Sequence, residues 1–296
     1  MAPDPETGSA LVATQPALAR WELVPGAPAA GLRGAVLSYT GYAERTAAPL
    51  ARLEAATARI PVVLSLGPAI LVGGVRHTSF VAGLDPAATV TRHAGEQLGV
   101  QLDLTPLGAR RLLGVPMGEL AGRVVPVEDL LGRQGSLVLE GLREAPGWAE
   151  RFALLDRVLG ARLAAAAPVA PELEQAWARL HAAGGVVAVE AVAREVGWSR
   201  RHLAARFREE IGLPPKLVAR ILRFERVAGA LRAGGELRLA EAAYACGYAD
   251  QAHLNRDFRA FSGLTPTAYA ARLLPEAGGV AGDAGPSAPE RLPDAA

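Results

Sequence analysis

The chain has 296 residues, 50% of them apolar, with 31 basic and 30 acidic side chains and one cysteine. That length supports about two domains and a sizeable core, and a lone cysteine excludes an intrachain disulfide and a Cys-rich zinc module. No apolar run reaches the roughly 18 residues of a membrane span, and the N-terminus lacks the basic start and apolar stretch of a signal peptide, so the expected location is the cytoplasm.

Residues 1–18 mix Pro, Ala, Gly and polar side chains and are expected to be disordered. A first domain follows over 19–167. From Trp21 to Thr105 short apolar runs alternate with Gly and Pro, as in "GAVLSYTGYAE", "IPVVLSLGPAILVGG", "TSFVAGL" and "GVQLDL". These predict strands of a small sheet or barrel. "TPLGARRLLG" and "PMGELAG" predict short helices with Thr or Pro starts and Gly stops. "GWAERFALLDRVLGARLAAAA" predicts a longer amphipathic helix with Phe152, Leu155, Val158, Leu159 and Leu163 on one face. "PVAP", residues 168–171, interrupts helix propagation and predicts a linker.

Residues 172–275 form the second domain, and they are helical in pattern. Seven segments are expected, at about 171–183, 189–196, 199–211, 214–232, 238–246, 250–262 and 266–273. Glycines separate them, and Pro214 and Pro266 stand at helix starts. This region carries 15 basic and 11 acidic residues, a mildly basic balance compatible with nucleic acid. The segment 276–296 is Gly/Ala/Pro-rich, without periodicity, and is expected to be a disordered tail. The fold class is therefore an α+β N-terminal domain followed by an all-α C-terminal domain, and 171–275 is expected to fold alone.

The second domain contains one pattern twice. "GWSRRHLAARFREEIGLPP" begins at Gly197 and "GYADQAHLNRDFRAFSGLTP" at Gly247. Ala193, Gly197 and Trp198 align with Ala243, Gly247 and Tyr248. After one extra residue, Leu203, Phe207 and Pro215 align with Leu254, Phe258 and Pro266. Each copy predicts a short helix, a tight turn and a second helix. Ala193 and Ala243 allow close helix packing, and Gly197 and Gly247 supply a positive φ. Trp198 and Tyr248 plug the space between the helices, while Ser199 and Asp250 serve as N-caps. Two helices joined this way, the second one charged, form a helix-turn-helix. The segment between the copies, "PPKLVARILRFERVAGALRAGG", predicts one long helix of roughly 28 Å. That is close to the roughly 34 Å between major-groove segments on one side of B-DNA.

With the repeat in view, "CGYADQAHLNRDFRAFSGLTPTAY" closely resembles the signature of the AraC/XylS family of bacterial transcription regulators, and the resemblance extends over 172–274. Ala252 and Leu254 stand where that family usually has Ser and Phe, and Asp257 is an unusual acid, expected to weaken a phosphate contact locally. "TPLGARRLLGVPMGELAGRVVPVEDLLG" is similar to uncharacterised N-terminal domains on some actinobacterial members, which implies a regulatory or oligomerisation role. The family resemblance implies double-stranded promoter DNA and RNA polymerase as partners, a small-molecule effector or a second copy of the chain as further ones, no membrane partner and no cofactor.

By family position, Arg201, Ala204 and Ala205 face base edges in the first copy, and Gln251, His253, Asn255 and Arg256 in the second. Arg suits guanine, Gln and Asn suit adenine, and Ala can touch only a thymine methyl. Arg194, Arg200, Arg206, Arg208, Lys216 and Arg259 are assigned to phosphates, which position without specifying sequence. His202 packs against the turn or joins the reading face. No catalytic or metal residues are expected: His77 and His93 lack ligand spacing, and Cys246 sits on an apolar helix face. The main reading is a one-component transcription regulator controlled through its N-terminal domain. The rival is a constitutive DNA-binding protein whose N-terminal domain makes only protein contacts. A third, an enzyme fused to a DNA-binding domain, lacks a catalytic constellation.

Overall fold

The computed structural model describes residues 11–15, 19–234, 239–274 and 279–282. The N-terminal half is one antiparallel sheet built from β1 (Leu11–Gln15), β2 (Ala19–Gly26), β3 (Val36–Glu54), β4 (Ile60–Ser65), β5 (Ile70–Val72), β6 (Val75–His77), β7 (Phe80–Ala82), β8 (Thr89–Leu104) and β9 (Val124–Pro126). The order is β1-β2-β3-β8-β4-β7-β9, with the β5–β6 hairpin attached to β8. β3 and β8 are its spine. Their register shifts between Thr46 and Leu50, where Pro49 has no amide hydrogen to give to the ladder.

Four helices belong to this half: α1 (Pro106–Leu113), α2 (Val127–Leu131), α3 (Arg133–Glu144) and α4 (Trp148–Ala165). A 3-10 turn, Met117–Glu119, follows α1. Thr105 caps α1 by accepting from the Gly108 amide, and Pro106 occupies its first turn. The amphipathic pattern of α4 is used against the sheet. A Cβ on Gly41 would stand 2.5 Å from the Trp148 ring, and one on Gly26 would stand 2.7 Å from Phe152. Glycine at these two strand positions is what admits the two rings.

The helical half comprises α5 (Pro171–Ala182), α6 (Val189–Glu195), α7 (Arg200–Glu210), α8 (Pro215–Arg232), α9 (Leu239–Ala245), α10 (Gln251–Ser262) and α11 (Pro266–Ala271). These are the seven segments expected from the glycine and proline punctuation. α8 has 18 residues, a length of about 27 Å.

One continuous apolar core runs from the sheet, through α1 and α4, into α5–α11. Within the 168–171 connection Val169 is itself buried. The two halves therefore share packing, and a fragment of 171–275 alone would expose surfaces that the first half covers. A second, smaller cluster of Val63, Val72 and Phe80 lies apart from this core.

Two segments expected to be disordered carry structure within the described residues. Leu11–Gln15 pairs with β2. In the C-terminal tail, Val280 accepts from the Leu53 amide at 2.8 Å, and the Gly282 amide donates to Ala51 at 3.0 Å. This segment takes the side of β3 beyond its pairing with β2, where the ladder is otherwise open. The rest of 1–18 and 276–296 lies outside the described residues.

Candidate nucleic-acid interface

The two copies form the same local structure. In the first, the Ala193 carbonyl accepts from Trp198, and Gly197 turns the chain at φ +71°. In the second, the Ala243 carbonyl accepts from Tyr248, and Gly247 sits at φ +77°. Ser199 Oγ accepts from the His202 amide and Asp250 Oδ1 from the His253 amide. Leu203, Phe207, Leu254 and Phe258 have no exposed surface, and Ala193 and Ala243 are buried. Pro266 opens α11, whereas Pro215 opens α8.

His202 and His253 play matching parts. His202 meets Trp198 edge-on at 4.6 Å, and His253 meets Tyr248 at 5.1 Å. His253 thus touches its own turn, as His202 does, while His202 is exposed and His253 half-buried. Burial raises the pKa of Tyr248, with Asp257 adding to the shift.

On α7, Arg200, Arg201, Ala205 and Arg208 are exposed and Ala204 is half-buried. Arg200 pairs with Glu190 at 3.1 Å. On α10, Gln251, Arg256 and Arg259 are exposed, while Asn255 is half-buried with its Oδ1 unpartnered. Arg194 and Lys216 are exposed beside these helices. The exposed groups give α7 an outward face of arginines and alanine and α10 one of arginines and an amide, with the burial pattern turning the opposite stripe into the core.

Two expected roles change. Arg206 lies at the edge of the stripe formed by the buried Leu203, Phe207 and Glu210, and its guanidinium is held by Glu209 at 2.6 Å and Glu210 at 2.9 Å. The side chain stays 30% exposed, but both carboxylates hold its guanidinium along α7. Asp257 occupies the equivalent position of α10, is 2% exposed, and pairs with Arg220 of α8 at 2.8 Å. It points into the core, away from the exposed face of α10. The helical period puts Asp257 on, and Arg206 at the edge of, the i, i+3, i+4 stripe of inward residues.

The N-terminal half touches both copies. Arg110 of α1 pairs with the buried Glu210 at the end of α7. A Cβ on Gly118 would stand 2.6 Å from the Arg208 carbonyl, so the 3-10 turn lies directly on α7. The β3–β4 loop reaches α8 and α10. Thr57 Oγ1 donates to Glu225 at 2.6 Å, Arg59 lies 3.5 Å from the same carboxylate, and the Ala56 amide donates to the Phe261 carbonyl at 2.9 Å. A cleft of about 510 Å³ opens there, lined by Arg59, His181, Gly184, Leu222, Glu225 and Arg226 among others. These contacts join residues up to 168 positions apart, and no local pattern announces them.

Glu44 is desolvated, yet hydrogen bonds from His93 and Arg52 hold its pKa below the usual carboxylate value. His77 packs on Phe80. Burial raises the pKa of Cys246. Among the described residues no three His, Cys, Asp or Glu side chains gather as metal ligands, and no helix is long and apolar enough to cross a membrane.

Residues 192–272 match a family model described as a helix-turn-helix domain. The match starts in α6 and ends after α11, so it contains both copies and α8. Among solved structures, the chain is similar to an AraC-type DNA-binding domain-containing transcriptional regulator from Chromobacterium violaceum, at 26% identity over 33% of this chain and 87% of that one, with a TM-score of 0.30. The C-terminal domain of AraT, a response regulator from Geobacillus stearothermophilus, aligns at 23% identity over 37% and 93%, with a TM-score of 0.34. ToxT from Vibrio cholerae aligns at 8% identity over 86% and 98%, with a TM-score of 0.44. No curated protein matches the chain.

Proposed function

We propose that this chain, in which residues 192–272 match a helix-turn-helix domain, is a sequence-specific transcription regulator of the AraC type that lays α7 and α10 in adjacent major-groove segments of promoter DNA, where RNA polymerase is its partner. The observation that carries this reading is the duplicated cap–turn–helix unit on either side of one helix of 18 residues. Each second helix turns a polar face outward, and α8 is about 27 Å long, near the roughly 34 Å groove repeat. Arg201, Gln251 and Arg256 are the groups that read base edges. Arg194, Arg208, Lys216 and Arg259 engage phosphates.

A signal acts through the N-terminal half. Helix α1 is fastened to α7 by Arg110–Glu210, and the β3–β4 loop to α8 by Thr57–Glu225 and to α10 by Ala56–Phe261, so a change in that half reaches both copies. The cleft beside Arg59 and Arg226 lies where these parts meet and has room for a small molecule.

Selection of bound sequences from a random DNA library, using the full chain, tests the reading. The expected result is a bipartite site with half-sites about one helical turn apart and an affinity that falls steeply with salt. A folded chain that retains no DNA at low salt refutes it. Dependence on a signal is tested by repeating the selection in extracts of cells grown on different carbon sources. Identical affinity in all of them favours the constitutive reading.

A further inference from the structure

The two copies also touch each other, across one face of α8. Gly185, in the turn before α6, is at φ +74°, and a Cβ there would stand 2.0 Å from the Ala219 carbonyl. That turn is therefore pressed onto α8. Val186, the next residue, reaches the turn of the second copy: a Cβ on Gly247 would stand 2.9 Å from Val186 Cγ2.

Two arginines of α8 bridge the same gap. Arg223 Nη1 donates to the Gly185 carbonyl at 2.8 Å, and its guanidinium carbon lies 5.5 Å from the centre of the Tyr248 ring. Arg226 lies along Gly184, where a Cβ would come within 2.5 Å of its Cδ, and its Nη2 donates to the Ala245 carbonyl at 3.2 Å. Arg223 thus links the turn that leads into the first copy to the second copy's aromatic ring, and Arg226 lies along the same turn while bonding the second copy. Neither sits on α7 or α10, the helices whose outward faces meet DNA in the reading above.

We propose that Arg223 and Arg226 are positioning residues that set the separation and phase of α7 and α10, and so determine which half-site spacing the protein accepts. The inference rests on the DNA-binding reading. Inserting one base pair moves a half-site about 3.4 Å along the helix axis and turns it by about 35°. Two modules clamped to one side of α8 cannot follow such a move. Modules held only by their apolar contacts with α8 have more freedom to do so. A guanidinium is suited to the bridge because it donates along its plane while stacking on an aromatic face.

The experiment uses the full chain on its selected site and on the same site with one base pair added or removed between the half-sites. Wild-type protein is expected to lose about 30-fold in affinity at the altered spacings, the scale of a lost base contact or more. Arg223→Ala and Arg226→Ala are expected to bind the original site more weakly but to lose less than about fivefold on the spacing change. Arg223→Lys, which keeps a donor to Gly185 without the planar stack, falls between. Circular dichroism establishes that each variant is folded. Folded variants that keep the wild-type spacing ratio overturn the inference, whatever their overall affinity. If Arg223→Ala does not fold, Arg226→Ala and Arg223→Lys decide by the same ratio. If wild-type protein binds no DNA, the regulator reading fails and takes this inference with it.

Discussion

The two helix-turn-helix copies share a scaffold and differ in where their inward charge goes. At one equivalent position the first carries Arg206 and the second Asp257. Arg206 is satisfied inside its own helix by Glu209 and Glu210, and Glu210 also takes Arg110 of the N-terminal half. Asp257 is satisfied by Arg220 of α8. The first copy is therefore tied by charge to α1 of the N-terminal half, and the second to the long helix. The outward faces differ too. α7 offers Arg201 beside two alanines, while α10 offers Gln251, Asn255 and Arg256. Duplication preserved the apolar and turn positions, which the packing of each hairpin requires. It left the polar positions to be used differently.

The turns provide the sharpest test of that comparison. Gly247→Val faces a positive φ and the Val186 side chain, whereas a Cβ on Gly197, at φ +71°, meets nothing within 4 Å. Gly247→Val is expected to destabilise by about 3 kcal/mol or more, and Gly197→Val by about 1–2 kcal/mol of backbone strain alone. Urea unfolding of the two variants measures the difference. Equal losses would mean that the contact between the copies contributes nothing.

The paired charges at the equivalent positions come next. Asp257→Ala leaves Arg220 without its partner, but that side chain is 36% exposed and can turn to water, so a loss of about 2 kcal/mol is expected. Arg206→Ala leaves Glu210 still held by Arg110, and about 1 kcal/mol is expected. A larger loss for Arg206→Ala would reverse the assignment of the two anchors.

Base reading separates the copies by a similar amount. Arg256→Ala and Arg201→Ala are each expected to remove about 1–3 kcal/mol of discrimination at one or two base pairs, in opposite half-sites. Arg208→Ala should weaken all sequences alike and lower the salt slope by about one. Library selection with each variant is the measurement. Identical sequence logos for Arg201→Ala and Arg208→Ala would make the first copy a clamp and leave reading to the second.

The smallest effect is at the caps. Ser199→Ala and Asp250→Ala each remove one acceptor for a helix-start amide, at a cost of about 1 kcal/mol. Asp250 also carries a negative charge at the start of α10, so its loss should be the greater and should shrink in high salt. Melting temperatures in low and high salt would show whether the two caps differ.

Much of the molecule was legible from local pattern. Glycine and proline punctuation marked all seven C-terminal helices, because a helix ends where a residue must take positive φ or lacks an amide hydrogen. The repeat revealed the helix-turn-helix units and their caps, because those depend on residues within a few positions of one another. Short apolar runs marked the strands, and the family resemblance pointed to the exposed groups of α7 and α10.

Only the tertiary structure decided which charges face inward and what meets them. Asp257 looked like a misplaced acid on a DNA-facing helix until Arg220, 37 residues away, supplied its partner. Arg110 and Glu210 are 100 residues apart, and nothing near either one signals the other. Gly26 and Gly41 read as ordinary strand glycines, yet they are seats for two rings of α4. The tail looked disordered by composition, but an open side of β3 gives residues 280–282 backbone partners that composition cannot register. Periodicity and turn chemistry are properties of neighbouring residues and are written locally. Ion pairing, close backbone approach and strand addition depend on what the folded chain brings across space.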